Sequence, residues 1–217
     1  NITLQLILWC GILSIIVGTL GAINQTKIKR LLAYSGISQM GFILVIFTLV
    51  LKTNLQVIFI YSLIYFISLI GFINLLNVFW GKIHKNLFIS ELSGVQNFNS
   101  VLTVSLFLII LSVAGLPPLM GFIPKWLVIS NLMLNEYILI SLMCLILSGI
   151  SIFYYLRIGK ILYFQRSSSF LTWSSTLSNT VQGNNEINTG ILMYFVMFCI
   201  LNLSWILLFL DYILINF

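Results

Sequence analysis

The sequence predicts an all-α membrane protein, a polytopic bundle of about six transmembrane helices with a discontinuous fourth helix. Three observations carry this prediction. Of the 217 residues, 60% are hydrophobic and only 6% are charged, about a quarter of the charged share of an average soluble domain. The apolar residues form runs of about 20, which is the length that crosses a bilayer as a helix. The basic residues concentrate in every second connection. A soluble enzyme, a disordered protein and a secreted disulfide scaffold are therefore excluded.

The predicted segments follow one another in a single membrane domain over residues 1–217. Each is helical because an open strand in lipid leaves backbone groups unpaired. Two longer polar connections, at about 81–100 and 165–187, are expected to be loops on the inner side. The six predicted spans are Ile2–Ile23, Leu31–Leu51, Leu55–Trp80, Val101–Ser130, Tyr137–Phe164 and Thr189–Leu214.

The fourth segment is too long for one span and is interrupted in its middle. Pro117 and Pro118 remove two backbone donors and prevent a regular helix there, while Gly115 and Gly121 add conformational freedom. The freed carbonyl groups need partners, which within a membrane means protein or water. Transporters place their ion sites at such helix breaks near the middle of the bilayer. The sequence therefore predicts a functional site beside the break.

Charge predicts the orientation of the bundle. With six spans the connections alternate between the two sides, and one side collects nearly all of the basic residues while the other holds only Lys52. The positive-inside rule places the basic side in the cytoplasm or the mitochondrial matrix, so both termini face the opposite side. The residues of the basic side are Lys27, Lys29, Arg30, Lys82, Lys85, Arg157, Lys160 and Arg166.

Lys125 belongs to neither side, because it lies in the second half of the broken segment at predicted membrane depth. A buried ammonium group there is costly, by about 3 kcal/mol on insertion scales. Loss of water disfavours the charged form and a nearby carboxylate favours it, so a lysine balanced between the two effects could load and release a proton. The alternative is a proline kink whose lysine snorkels to the interface. Glu136 and Asp211 lie near helix ends, so we expect no deeply placed carboxylate beside Lys125.

Further polar residues share single helix faces at spacings of three, four or seven residues, and could extend a hydrated proton path. They serve equally well as ordinary interhelical hydrogen bonds, worth about 0.6 kcal/mol each in a membrane. Both interpretations stay open. The candidates are Ser35, Ser38 and Gln39 on the second helix, Tyr61, Tyr65 and Ser68 on the third, and Ser148, Ser151 and Tyr155 on the fifth.

Motifs for redox or hydrolytic chemistry are missing from the sequence. It contains no cluster of metal ligands, nucleophile constellation, phosphate-binding glycine loop or dinucleotide fingerprint. We therefore predict no cofactor, no metal and no nucleic acid for this chain, and membrane lipid as its surroundings.

Two long motifs resemble the antiporter-like subunits of respiratory complex I. Residues 21–42 (GAINQTKIKRLLAYSGISQMGF) are similar to the loop and following helix that these subunits share. Residues 112–127 (SVAGLPPLMGFIPKWL) resemble their second broken helix. The lysine shortly after Gly-Phe, together with the segment FYYLR at 153–157, is closest to the NADH dehydrogenase subunit 2 family.

The resemblance implies a proton-translocating subunit of NADH:ubiquinone oxidoreductase that performs no redox chemistry itself. NADH, FMN, iron–sulfur clusters and quinone would be bound by other subunits. Lys125 matches the lysine of the family's second discontinuous helix, the proton site nearer the outlet. The implied location is the mitochondrial inner membrane, with both termini facing the intermembrane space, or the plasma membrane of a bacterium.

The resemblance also implies that this chain is the C-terminal half of an antiporter-like module. Family members carry further helices that hold a glutamate and two lysines of a central polar axis, and these helices would come from another chain or segment, as in a split subunit. Other complex I membrane subunits are the implied partners. Two alternatives stay open, namely a cation/proton antiporter subunit with the same motifs and a non-conducting structural scaffold.

Overall fold

A computed structural model describes residues 2–49, 52–80, 88–93, 100–117, 119–164 and 190. All the regular secondary-structure elements in these ranges are helices, as predicted. Four helices, the first three and the last, are long and apolar enough to cross a membrane. The helices are α1 (Ile2–Ile23), α2 (Ile28–Phe47), α3 (Lys52–Trp80), α4 (Ser100–Ala114), α5 (Phe122–Leu134) and α6 (Ile138–Phe164), with a short 3-10 turn at Ile89–Leu92.

The helix boundaries follow the predicted spans with small shifts at polar ends. Helix α1 has the predicted bounds, while α2 begins at Ile28 rather than Leu31, and α3 begins at Lys52 rather than Leu55. Both shifts extend a helix into polar residues, which have no strong preference between helix and loop and adjoin an apolar stretch that has nucleated the helix. The predicted sixth span and the predicted loop at 165–187 lie outside the described residues, apart from residue 190.

The predicted discontinuity is present between α4 and α5. At 1.5 Å per residue, these helices of 15 and 13 residues reach about 20 Å each, less than the hydrocarbon core of about 30 Å. Helix α4 ends in a Schellman turn: Gly115 has φ +83°, its N–H donates to the Ser112 carbonyl at 3.0 Å, and the Leu116 N–H donates to the Leu111 carbonyl at 3.3 Å. Pro118 lies outside the described residues.

Helices α1 and α2 form a close antiparallel pair because glycines line their contact. A Cβ atom on Gly18 would lie 2.6 Å from the Ser38 amide nitrogen and 2.7 Å from the Tyr34 carbonyl oxygen. A Cβ atom on Gly41 would lie 2.9 Å from the Gly11 carbonyl oxygen. Small residues bring helix backbones together in lipid, where packing rather than hydrophobicity drives association. Glycine spacing therefore fixes this pair.

Part of the predicted polar loop at 81–100 packs into the core. Ile89 and Leu92 are buried, and the Ile89 N–H donates to the Thr26 carbonyl at 2.9 Å. The two apolar residues of this largely polar segment are thus buried. The average composition of the loop did not predict this burial.

Helix α5 turns one face towards the interior of the bundle. It contacts α2, α3 and α6, and α6 in turn packs against α1 and α4. The buried face of α5 consists of Ile123, Pro124, Lys125, Val128 and Leu132. A charged residue thus shares the inward face of an otherwise apolar helix.

Candidate functional site

Lys125 lies in the first turn of α5 and its side chain is only 5% exposed. Its ammonium nitrogen, Nζ, donates a hydrogen bond of 2.6 Å to the Ala114 carbonyl oxygen. A longer contact of 3.4 Å joins Nζ to the hydroxyl of Ser151 on α6. Among the described residues, its hydrogen-bond partners are thus a carbonyl and a hydroxyl rather than a carboxylate.

The Ala114 carbonyl is a chemically apt partner for a cation. It belongs to the last residue of α4, where carbonyl groups lack a partner within the helix. The C-terminal end of a helix also carries about half a negative charge, which stabilises a nearby cation by about 0.3–1 kcal/mol, and by up to about 2 kcal/mol when partly buried. Lys125 therefore ties the two halves of the broken segment together. This placement differs from that of a lysine snorkelling to the interface.

Gly115 and Gly121 make this arrangement possible. A Cβ atom on Gly115 would lie 2.8 Å from Cδ and 3.0 Å from Nζ of Lys125, and the positive φ of Gly115 is itself unfavourable for other residues. A Cβ atom on Gly121 would overlap the carbonyl oxygen of Ser112. Both glycines of the predicted break therefore create space, one for the lysine and the other for the α4 backbone. Pro117 lies on the exposed side of the turn.

A small cavity adjoins Lys125. The volume of this cavity is about 20 Å³. A volume of about 10–15 Å³ is enough to hold one water molecule. The walls of the cavity come from α2, α3, the end of α4, the break and α5. The lining residues are Gln39, Tyr61, Ile64, Tyr65, Ser68, Ser112, Val113, Gly121, Pro124 and Lys125.

Four of the nine predicted polar candidates line this cavity, namely Gln39, Tyr61, Tyr65 and Ser68. A fifth, Ser151, contacts Lys125 itself. The Tyr61 hydroxyl donates to the Gln39 side-chain oxygen across the α2–α3 contact. The predicted shared face of Tyr61, Tyr65 and Ser68 on α3 is therefore the face that meets Lys125.

The remaining candidates lie elsewhere. Ser38 is buried on α2 and donates to the Ser35 carbonyl at 2.7 Å, and Tyr155 is buried on α6. Neither residue lines the cavity. Ser148 is partly exposed and donates to the Leu145 carbonyl of its own helix at 2.7 Å. The structure thus does not bring Ser148 to the site.

Sequence reasoning missed one polar residue that lines the cavity and one buried tyrosine outside it. Ser112 lines the cavity, and Tyr154 is buried beside Tyr155 with ring centroids 4.6 Å apart. The signal for Ser112 was its place one turn before the break. Tyr154 had a signal too, because it follows Ser151 by three residues, a helical spacing, but Tyr155 at four residues was selected instead.

Charged residues mark the two ends of the bundle. Arg157, near the end of α6, donates to the Ile23 carbonyl at the end of α1 at 3.2 Å. This contact brings the basic end of α6 next to the basic turn between α1 and α2. Glu136, in the turn between α5 and α6, is exposed at the opposite end of α6. The described basic residues of these three helix ends therefore share one side, as the charge pattern predicts.

Comparison with known proteins decides the family. The model of a family described as NADH:quinone oxidoreductase/Mrp antiporter transmembrane proteins matches residues 1–151. The chain belongs to this family. The resemblance drawn from the sequence motifs is thereby confirmed at the family level, and the matched region includes both motifs and Lys125.

Relatives of this antiporter-like family member carry the names of complex I subunits. The chain is 41% identical over 173 residues to NADH-ubiquinone oxidoreductase chain 2 of Metridium senile, which covers 80% of this chain and 44% of that protein. It is 34% identical over 188 residues to NADH-quinone oxidoreductase subunit N of a Wolbachia species from Brugia malayi, which covers 86% of this chain and 40% of that protein. The chain thus spans less than half the length of these relatives.

Solved structures of respiratory complexes share the fold. A chain of the archaeal membrane-bound sulfane sulfur reductase superposes with a TM-score of 0.76 at 24% identity, covering 89% of this chain and 31% of that chain. A chain of respiratory complex I from Thermus thermophilus superposes with a TM-score of 0.67 at 23% identity, covering 92% of this chain and 45% of that chain. The overall helical fold is therefore shared with these structures.

Proposed function

We propose that this chain is a proton-translocating membrane subunit of NADH:ubiquinone oxidoreductase, in which Lys125 accepts and releases the transported proton. The observation that carries the proposal is the buried ammonium group of Lys125 at a helix break beside a cavity large enough for water. The family assignment and the complex I names of its relatives support the same reaction.

The geometry suits Lys125 to a change of charge. In its protonated form Nζ donates to the Ala114 carbonyl, which lies at the negative end of α4. In its neutral form the nitrogen has a lone pair and can accept a proton from a water in the adjoining cavity. The described partners of Lys125 carry no formal charge. Charged groups beyond these two partners would therefore decide whether the protonated or the neutral lysine is favoured. Interacting ionisable groups of this kind titrate as a coupled set.

This arrangement supports an electrostatic mechanism of pumping. Quinone reduction elsewhere in the complex would shift charge along a chain of buried ionisable groups, and each shift would change the proton affinity of the next group. Lys125 would receive a proton from the central polar axis and release it towards the outer side. The missing members of that axis would come from another chain or segment, so this chain would supply the outlet-side half of the channel.

We further propose the location and partners that this function requires. The chain would lie in the mitochondrial inner membrane, or in the plasma membrane of a bacterium, with its basic end on the matrix or cytoplasmic side. Its partners would be the other membrane subunits of complex I. NADH, FMN, iron–sulfur clusters and quinone would be bound by those other subunits. The chain itself would contribute translocation and no redox chemistry.

The substitution Lys125→Met tests this function in the assembled complex. Methionine is unbranched and flexible like lysine and only one atom shorter, but it cannot hold a proton. Proton translocation coupled to NADH oxidation is therefore expected to fall while assembly persists. Lys160→Met is the matched control, because Lys160 is an exposed lysine on α6. The measurement is proton translocation and NADH oxidation in sealed vesicles, with the amount of assembled complex determined by quantitative mass spectrometry. An unchanged rate and proton-to-NADH ratio in Lys125→Met would refute the proposal.

A cation/proton antiporter subunit is the second candidate, because the matching family includes Mrp antiporters. A chain of the Mrp complex from a Dietzia species has the same fold, with a TM-score of 0.66 over 74% of this chain and 31% of that chain. Sodium-driven proton exchange in vesicles that lack NADH would favour this candidate. If Lys125→Ala reduces assembly rather than translocation, the scaffold role is favoured instead.

A further inference from the structure

A second cavity opens between α1 and the start of α6, at the end of the bundle away from the basic residues. We call it the α1–α6 cleft. Its volume is about 470 Å³, and its walls come from α1, the turn after α5 and the first residues of α6. Sites for small ligands have volumes of about 300–1,000 Å³ and mostly apolar walls. The cleft is therefore large enough for a ligand, and it shares no lining residue with the Lys125 cavity.

The lining of the cleft combines aliphatic walls with two aromatic rings and one carboxylate. The aliphatic walls include Ile12 and Met143. The rings belong to Trp9 and Tyr137, and the carboxylate belongs to Glu136. Trp9 is 62% exposed and Tyr137 is 45% exposed, and both aromatic faces and carboxylates attract cations. The lining thus favours a ligand with an apolar body and one positively charged group.

The turn that ends α5 fixes the position of Glu136 at the cleft. The Tyr137 N–H donates to the Leu132 carbonyl at 3.0 Å. The Glu136 N–H donates to the Met133 carbonyl at 3.1 Å, which completes a Schellman turn. Glycine or asparagine is usual at the left-handed position of such a turn, but here Glu136 occupies it with φ +66°. None of the described residues forms an ion pair or a hydrogen bond with the Glu136 carboxylate, so this group can accept from a ligand.

The order of these groups along the helices matches that of a phospholipid. Glu136 lies in the turn before α6, and Trp9 lies about 10 Å along α1 from Ile2. Tryptophan and tyrosine are enriched at this level of membrane proteins, where headgroups meet acyl chains. Ile12 and Met143 lie further along their helices, towards the middle of the bundle. A headgroup at Glu136 would therefore place an acyl chain against the aliphatic walls.

We propose that the α1–α6 cleft binds one molecule of phosphatidylethanolamine from the leaflet opposite the basic end. The ammonium group of the lipid donates to the Glu136 carboxylate beside the rings of Trp9 and Tyr137, and one acyl chain lies along the aliphatic walls. An anionic headgroup is disfavoured because Glu136 repels a second negative charge. A choline headgroup is less suitable because its nitrogen has no N–H to donate to the carboxylate. This proposal concerns lipid binding and does not depend on proton translocation by Lys125.

The test uses photoactivatable lipids and the intact membrane complex that contains this chain. The complex is placed in nanodiscs of constant lipid composition with a small fraction of one probe. The three probes carry the same diazirine-bearing acyl chain and an ethanolamine, choline or glycerol headgroup. Mass spectrometry then measures labelling of the peptides that line the cleft. The internal reference is the exposed apolar face of α3, which includes Phe59, Leu63 and Phe66 and reports ordinary contact with lipid.

Labelling of the cleft relative to the α3 face is expected to be strongest with the ethanolamine probe and weakest with the glycerol probe. Glu136→Gln keeps the shape of the side chain and removes its charge, so the ethanolamine signal should fall about two- to fivefold, the range for an exposed ion pair. Glu136→Asp should retain most of the preference. Trp9→Leu should also lower the signal, whereas Trp126→Leu is the matched control, because Trp126 is 60% exposed on α5 and does not line the cleft.

Two results would overturn the proposal from the probes alone. One is equal labelling of the cleft by the ethanolamine probe and either of the other two, and the other is an unchanged ethanolamine signal in Glu136→Gln. Electron cryomicroscopy of the unmodified complex gives a third check. Density for a protein helix in the cleft, with no labelling by any probe, would assign the cleft to a protein contact and overturn lipid binding. None of these results depends on whether Lys125→Met lowers proton translocation, so the proposed function is tested separately.

Discussion

Replacing Gly115 with alanine should disconnect Lys125 from the break. The φ of +83° at this residue costs an L-amino acid about 1–2 kcal/mol in backbone strain. The new methyl group would also lie 2.8 Å from Cδ of Lys125, so the lysine must move. We expect that movement to weaken the 2.6 Å bond to the Ala114 carbonyl, and hydrogen bonds of charged groups contribute about 1.5–3 kcal/mol when they are lost entirely.

The predicted loss in the stability of this region for Gly115→Ala is thus about 1–2 kcal/mol from backbone strain, rising to about 5 kcal/mol if the hydrogen bond is lost entirely. The variant should lower both the melting temperature of the purified complex and its proton translocation. Gly149→Ala is the matched control, since Gly149 lies within α6 and a Cβ atom there would meet no atom within 4 Å. The control is expected to be neutral or slightly stabilising, because alanine favours helix.

The result that would refute this reasoning is a Gly115→Ala variant that matches Gly149→Ala in both measurements. A lower melting temperature with full translocation would support the backbone strain but refute the link between the position of Lys125 and proton transfer. The melting temperature therefore tests the backbone strain at Gly115, and proton translocation tests the role of the Lys125 position.

Two further predictions concern helix contacts. Tyr61→Phe should leave the buried Gln39 side-chain oxygen unpaired and lower stability by about 1–3 kcal/mol, whereas the double variant with Gln39→Leu should lower it by less than the sum of the single changes. Thermal melting of the unmodified protein, the two single variants and the double variant measures the coupling between Tyr61 and Gln39. Strictly additive effects would contradict the predicted hydrogen bond. Gly18→Ala should push α1 from α2, because its Cβ atom would meet backbone atoms at 2.6 and 2.7 Å, at a cost of about 1–3 kcal/mol. Quantitative mass spectrometry should then find less assembled complex, and wild-type amounts would count against the glycine contact.

The fold class could be predicted because the membrane restricts the choice of structure. In lipid each backbone polar group must be paired, so an apolar run of about 20 residues has to be helical. The break was equally predictable from Pro117, Pro118 and Gly115, whose backbone preferences are local. Helix bounds shifted at α2 and α3 because the polar residues at a helix end have no strong preference between helix and loop.

The site was predicted only in part, because helical spacing identifies a face but not its partner. The face of Tyr61, Tyr65 and Ser68 was visible in the sequence, and its meeting with Lys125 required the packing of α3 against α5. Ser148 fitted the same kind of spacing and lies away from the cavity. Tyr154, three residues after Ser151, also fitted this spacing but was not selected, and it is buried beside Tyr155.

The sequence by itself determined a helical membrane bundle, its broken segment and a lysine that cannot be left in lipid unaided. Only the tertiary structure decided the partners of that lysine. The Ala114 carbonyl is eleven residues away and Ser151 is twenty-six residues away along the chain. Contacts at such separations depend on how the helices cross, and crossing is set by side-chain packing that composition and spacing do not specify.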